Sequence, residues 1–294
     1  SWWKSEFEND KNAIPKLLDY LTKRLCLKVD FLQGASDLSL DFLPVSTKFK
    51  LQRNQENPSL FSNLARSVAK VVSQPMERSY EPIESSALAI RQSILQNHSC
   101  VSLNSLLTFC WEAGIPVVHF DKRPNGHVKS DGLVVMIDGR PVIVIGSSRQ
   151  QSAWLLFILA HELGHIANGD LQDGILVDDA FVGGVIDKEE ENANQFARQL
   201  LFGDSKLSWD SKLSRNGLLD EARQLSRTHC LDASSVVLNY AWQTGDWKCA
   251  MIALKILEPN ANAPAQINTY CQRNWVSIDD ESREYLERIN ILAD

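Results

Sequence analysis

No part of this sequence stays apolar for long. The longest unbroken apolar run is Ala153–Ala160, far short of the roughly 20 residues that a membrane-spanning helix needs, so no span and no membrane partner are expected. The six cysteines, Cys26, Cys100, Cys110, Cys230, Cys249 and Cys271, form no C-x-x-C pair. Their scatter argues against a thiolate metal site or a redox dithiol and for buried, reduced thiols. Long repeats and low-complexity tracts are also missing. The opening Ser1-Trp-Trp-Lys-Ser-Glu-Phe-Glu lacks the charged start and apolar stretch of a secretory signal, and the expected location is cytoplasmic.

Positive charge is scarce in the middle of the chain. Residues 81–205 carry 8 basic and 16 acidic side chains, against 12 and 9 in residues 1–80 and 10 and 12 in residues 206–294. An acidic centre repels nucleic acid and attracts basic proteins, so a direct DNA-binding role for it is disfavoured. What remains is ordinary for a globular protein: 44% apolar and 23% charged in 294 residues, enough for one large core or two modest ones.

Apolar spacing organises the chain. Ile14, Leu17, Leu18, Leu21 and Leu25 predict a helix over 12–27, and a second helix is expected over 59–73. The stretch Pro75–Pro82 reads as a linker before a helix carrying Ala87, Leu88, Ile90, Ile94 and Leu95. A helix over 103–112 closes at Gly114 and Pro116, and Val117–Phe120, Leu133–Ile137 and Pro141–Ile145 read as strands. Asp138-Gly139 between the last two is a hairpin signal. Long helices follow at about 151–168 and 188–202. Beyond residue 206 the pattern is helical, and 217–227 and 233–244 have helix-turn-helix spacing. The expected division is an N-terminal helical region, 1–80, a central domain, 81–205, and a C-terminal helical region, 206–294.

The helix over 151–168 contains His161-Glu162-Leu163-Gly164-His165. At about 3.6 residues per turn, imidazoles four positions apart leave the same face and can grip one ion. Glu162 lies about 100° around the helix, displaced from that fork but within reach of a water at the metal, which is a general base's position. A catalytic zinc also needs a third protein ligand, commonly a carboxylate from a second helix. Glu189, Glu190 and Glu191 are candidates, although acids at a helix start suit the helix dipole without any ligand. Glu190 shares a face with Asn194 and Ala197, and Asn194 is placed to hold a histidine or the ligand carboxylate by a hydrogen bond. Glu190 is therefore preferred, and solvated acids are the reading for Glu189 and Glu191. His98, His119, His127 and His229 have no partner at ligand spacing, and His119 and His127 are at most cleft-lining candidates.

Taken together, Leu159-Ala-His-Glu-Leu-Gly-His165 and Glu190-Glu-Asn-Ala-Asn-Gln-Phe-Ala-Arg-Gln-Leu-Leu201 resemble the ImmA/IrrE family of zincin-like metallopeptidases. The likeness extends upstream through Gly114-Ile-Pro-Val-Val118, Ser130-Asp-Gly-Leu133 and Arg140-Pro-Val-Ile-Val-Ile145, and covers about residues 81–205. It implies an α+β fold, with a small mixed sheet and an active-site helix in a zincin-like core, flanked by helical regions. It also implies Zn2+ bound by His161, His165 and Glu190, with Glu162 as catalytic base. One departure is Leu200-Leu-Phe-Gly203, where the family runs on to a methionine and proline. Residues 25–76, including Leu27-Lys-Val-Asp-Phe-Leu32 and Thr47-Lys-Phe-Lys-Leu-Gln-Arg53, look similar to the segment that follows a repressor-type DNA-binding domain in fused members. A sensor domain of the GAF type, C-terminal in some members, is not expected in residues 206–294.

The function implied is a zinc endopeptidase that cleaves a helix-turn-helix repressor in a stress, DNA-damage or phage and mobile-element response, with nucleic acid as a candidate activator. The alternative is a transcription regulator or binding module that uses the fold as a sensory or structural platform. Arg223, Arg227 and His229 give the 217–244 pair only a thin basic set, and Lys48, Lys50 and Arg53 around Phe49 read as a solvated face. Zincin-like sites hold substrate as an added strand, and Val142–Ile145 is the candidate edge, unless that strand is interior and fully paired.

Overall fold

The computed structural model describes residues 47–49, 60–122, 131–171, 175–177, 188–205, 207–275 and 277–292. The helix expected over 12–27, His127, Lys50 and Arg53 lie outside these residues. The fold is α+β. A five-stranded sheet has the order β1-β5-β3-β4-β2, with β1 Thr47–Phe49, β2 Val117–His119, β3 Gly132–Ile137, β4 Arg140–Ile145 and β5 Ile175–Val177. Ten helices are described: α1 Leu60–Ser73, α2 Ala87–Leu95, α3 Leu103–Glu112, α4 Ser152–Asn168, α5 Lys188–Phe202, α6 Arg215–His229, α7 Ala233–Thr244, α8 Trp247–Leu257, α9 Ala263–Arg273 and α10 Asp280–Arg288.

β3 and β4 form an antiparallel hairpin closed by Asp138 and Gly139, with Ile137 opposite Arg140. Both turn residues take positive φ, 50° and 81°, the twist that a two-residue hairpin requires and that Asp-Gly adopts at least cost. β5 pairs antiparallel with β3, while β2 and β1 pair parallel with β4 and β5. Side chains alternate between the two faces. Val134, Ile143, Ile145 and Val117 face a core with α4, whereas Leu133, Val135, Val142, Val144 and Val118 face a second core with α1. Burial on both faces explains why these strands read as continuous apolar runs.

Val142–Ile145 is not a free edge. Ile143, Val144 and Ile145 pair with β2 on one side, and the whole of β4 pairs with β3 on the other. A docking strand has no backbone groups left to meet there. The outer side of β2 is itself engaged at His119, whose N–H donates to Asn268 Oδ1 at 2.9 Å and whose carbonyl accepts from Asn268 Nδ2 at 3.1 Å. The side-chain amide from α9 thus imitates a neighbouring strand.

Packing crosses the positions near 80 and 205 where the sequence pattern changes. Phe61 of α1 stacks on Phe120 with ring centroids 6.0 Å apart, and Leu286 of α10 lies in the same core as Leu133 and Val144. Arg91 of α2 is buried and ties two helix ends together. Its guanidinium donates to the carbonyls of Leu200 and Leu201 at the end of α5, and to those of His229 and Cys230 at the end of α6. A cation that satisfies four terminal carbonyls suits the negative end of both helix dipoles. That contact fixes the exit of α5 at Leu200-Leu-Phe-Gly203.

The α6–α7 pair has helix-turn-helix order, but α7, where a recognition helix would lie, buries Val236, Val237, Leu238, Tyr240 and Ala241. These side chains fill the core beside α4 and α8, so this helix is committed to packing. No helix among the described residues is long and apolar enough to cross a membrane.

Candidate metal centre

The site lies where α4 crosses α5. α4 is apolar almost all round because it is covered by the sheet on one side and helices on the other. The crossing is close because of Gly164 inside the histidine motif. A Cβ on Gly164 would stand 3.1 Å from the Ala193 Cα and 3.2 Å from both the Ala193 carbonyl oxygen and the Phe196 Cβ. Backbone meets backbone there, and this approach brings Glu190, one turn before Ala193, up to the histidines.

His161 and His165 set their Nε2 atoms 3.1 Å apart. Glu190 Oε2 is 3.2 Å from His161 Nε2, and Glu190 Oε1 is 3.5 Å from His165 Nε2. Two donors held by one tetrahedral ion, at about 2.0–2.1 Å each, stand about 3.3–3.4 Å from one another. The observed separations therefore fit a single ion held between them, and among the described residues this trio is the cluster that could hold one. Glu189 and Glu191 of the same turn are not part of it.

The other ring nitrogens are also engaged. His161 Nδ1 is 3.2 Å from Asn194 Oδ1, as the shared face of Glu190 and Asn194 led one to expect, and His165 Nδ1 is 2.8 Å from Asp170 Oδ2. Each oxygen accepts from an Nδ1–H, which leaves the Nε2 lone pairs directed at each other and at a carboxylate. A positive charge between them, a shared proton or a metal ion, is what such an arrangement accommodates. Burial holds His165 below the usual imidazole range, as does neighbouring His161, while Asp170 and Glu190 pull the other way. The net direction favours the neutral form that a metal requires.

Glu162 is fully buried beside the start of β3. A Cβ on Gly132 would stand 2.3 Å from Glu162 Oε1, so only glycine leaves room for this carboxylate. Asp170 and the two glycine contacts escaped the sequence reading. Gly169-Asp170 did carry a signal: a glycine just past the last helical residue marks a left-handed cap, and such a cap turns the next side chain back toward the helix end. His119 is buried, with Nε2 donating to the Ser147 carbonyl at 2.8 Å, and has a structural part. His229 is exposed at the end of α6.

Residues 111–227, from the end of α3 into α6, match the family model described as the IrrE N-terminal-like domain, a peptidase family. No curated protein and no solved structure matches the chain. The motif helix, the carboxylate helix and the hairpin before them all fall inside the matched residues, so it is this stretch, residues 111–227, that is similar to the peptidase family.

Proposed function

We propose that the protein is a zinc-dependent endopeptidase, with His161, His165 and Glu190 as zinc ligands and Glu162 as general base. The observation that supports this most is the convergence of two Nε2 atoms and one carboxylate at ion-ligand spacing, with a buried second carboxylate one residue along the same helix. Nitrogen and oxygen donors at tetrahedral spacing suit zinc. When bound there, the ion supplies Lewis acidity and makes water a nucleophile near neutral pH. Glu162 accepts the proton of the attacking water, holds it in a pocket closed by Gly132, and returns it to the leaving amine nitrogen. Asn194 orients His161, and the Gly164–Ala193 crossing keeps the carboxylate helix in place.

The substrate we infer is a partner protein of the helix-turn-helix repressor class, cleaved in a stress, DNA-damage or phage and mobile-element response in the cytoplasm. This rests on the family resemblance. The burial of α7 weighs against the alternative of a DNA-reading regulator, since the helix that would enter the groove is committed to the core.

The test is to load purified wild type and Glu162→Gln with zinc, measure metal per chain, and incubate each with the repressor encoded nearest to the gene, with and without single-stranded DNA. Cleavage by wild type alone, with one zinc in both proteins, is expected. Equal inactivity of the two zinc-loaded proteins would sink the repressor assignment, and cleavage of unfolded casein by wild type would point to a broad protease.

A further inference from the structure

Asp170 stands apart from the other residues around the histidines because it belongs to neither helix of the metal centre. α4 ends at Asn168, Gly169 turns the chain at φ +72°, and Asp170 comes back against the last turn. Its backbone N–H donates to the His165 carbonyl at 3.1 Å, and its Oδ2 lies 2.8 Å from Nδ1 of the same residue. One histidine is thus held at its backbone and at its ring by a single neighbour. The contact is sheltered, with the His165 side chain fully buried and that of Asp170 only 11% exposed.

We propose, on the basis of the metal-centre reading above, that Asp170 is the positioning residue of that centre: it holds the proton of His165 on Nδ1 and so aims the Nε2 lone pair at the ion. A charged acceptor in a site of low dielectric makes a shorter and stronger hydrogen bond than a neutral one, and it raises the donor strength of the ligand nitrogen. Asn194 plays the corresponding part for His161 with a neutral amide at the longer distance of 3.2 Å. The two histidines are therefore unequal, and His165 is the ligand whose geometry is fixed in advance. Asp170 itself is not one of the three candidate ligands.

Affinity for Zn2+, measured by chelator competition on metal-free wild type, Asp170→Ala, Asp170→Asn and Asn194→Ala, tests the proposal. Asp170→Ala should bind about 10- to 100-fold more weakly than wild type. Asp170→Asn, which keeps an oxygen in place and loses the charge, should fall between, at about 3- to 10-fold, and Asn194→Ala should lose less than Asp170→Ala. If the alanine variant fails to fold, the isosteric asparagine variant decides. A second readout uses metal-free protein: 15N NMR of His165 should show the proton on Nδ1 in wild type and a shift toward the Nε2–H form in Asp170→Ala. A residue that merely braces the chain would leave that tautomer unmoved. Wild-type affinity or an unchanged tautomer in both variants overturns the assignment and leaves the metal centre standing, whereas failure of wild type to bind any divalent ion removes the metal centre itself.

Discussion

The two halves of α4 are held by different kinds of neighbour. Its C-terminal half, which carries the histidines, lies against α5 with glycine on alanine, and Asp170 folds back onto it from only five residues away. Its first turn is held by residues from the far end of the chain. Gln151 at the N-cap position makes no side-chain cap bond. Instead Glu258, just after α8, accepts from the Ser152 backbone N–H at 2.7 Å and from its hydroxyl at 2.8 Å. Ala263 N–H donates to the Gln150 carbonyl at 2.9 Å, and Trp247 stacks on Trp154 with centroids 5.8 Å apart. One end of the helix carries the proposed metal centre and is held by close contacts with α5 and Asp170. The other end is anchored by a cap and an aromatic stack that stabilise without approaching the site. Substitutions at the two ends should therefore fail in different ways.

The largest effect is expected at the chemical end. Glu162→Gln keeps the shape of the side chain and removes the base, so peptide hydrolysis should fall by about 10²- to 10⁴-fold while metal content and melting temperature stay near wild type. Steady-state kinetics with parallel metal analysis reads this. Full activity in the variant would refute the base assignment. Next is Gly164→Ala, whose new methyl meets Ala193 backbone at 3.1 Å. Neither helix can yield without moving Glu190, so the cost should appear both as about 1–3 kcal/mol of stability and as weakened metal binding. A variant that lost stability and kept its metal affinity would mean that the close crossing does not set the carboxylate.

This contrast also shows what the sequence could and could not disclose. His161, Glu162, His165 and the choice of Glu190 over its neighbours follow from helical phase, which is local and regular. The hairpin at Asp138-Gly139 is equally local. Asn194 was legible for the same reason, one turn from Glu190. The pairing of β2 beside β4 was not, because parallel strands meet across distant segments with no turn to mark their register. Nor was the Glu258 cap, which joins residues 106 positions apart, or Arg91, which reaches helix ends more than a hundred positions away. The commitment of α7 to the core also depends on neighbours that its own spacing cannot name.

At the anchoring end the expected effects are smaller and of another kind. Glu258→Ala removes the acceptor for two groups of Ser152 and the negative charge that favours a helix start. A lost cap of this sort costs about 1 kcal/mol, read as a lower denaturant midpoint with unchanged slope. Zinc affinity should not move. If it did, the two halves of α4 would be coupled, and the distinction drawn between them would fall.

The effect most remote from the metal centre is a pH dependence seated at His119 in β2. Burial depresses its pKa below the usual 6.5, only partly offset by its bond to the Ser147 carbonyl and by Asp121. The unfolded chain therefore takes up a proton near pH 6.5 that the folded chain refuses until lower pH. In that interval the unfolded state binds more protons, so stability rises with pH and is lost as the solution is acidified from 6.5 toward the folded value. Each unit of depression is worth about 1.4 kcal/mol, and His165 adds a contribution of the same sign in metal-free protein. Comparing zinc-loaded wild type with His119→Asn separates the two. The variant should be less stable at pH 7.5, having lost the Ser147 contact, yet show a flatter dependence between pH 5 and 6.5. An equally steep profile would mean that the proton is taken up elsewhere than at His119.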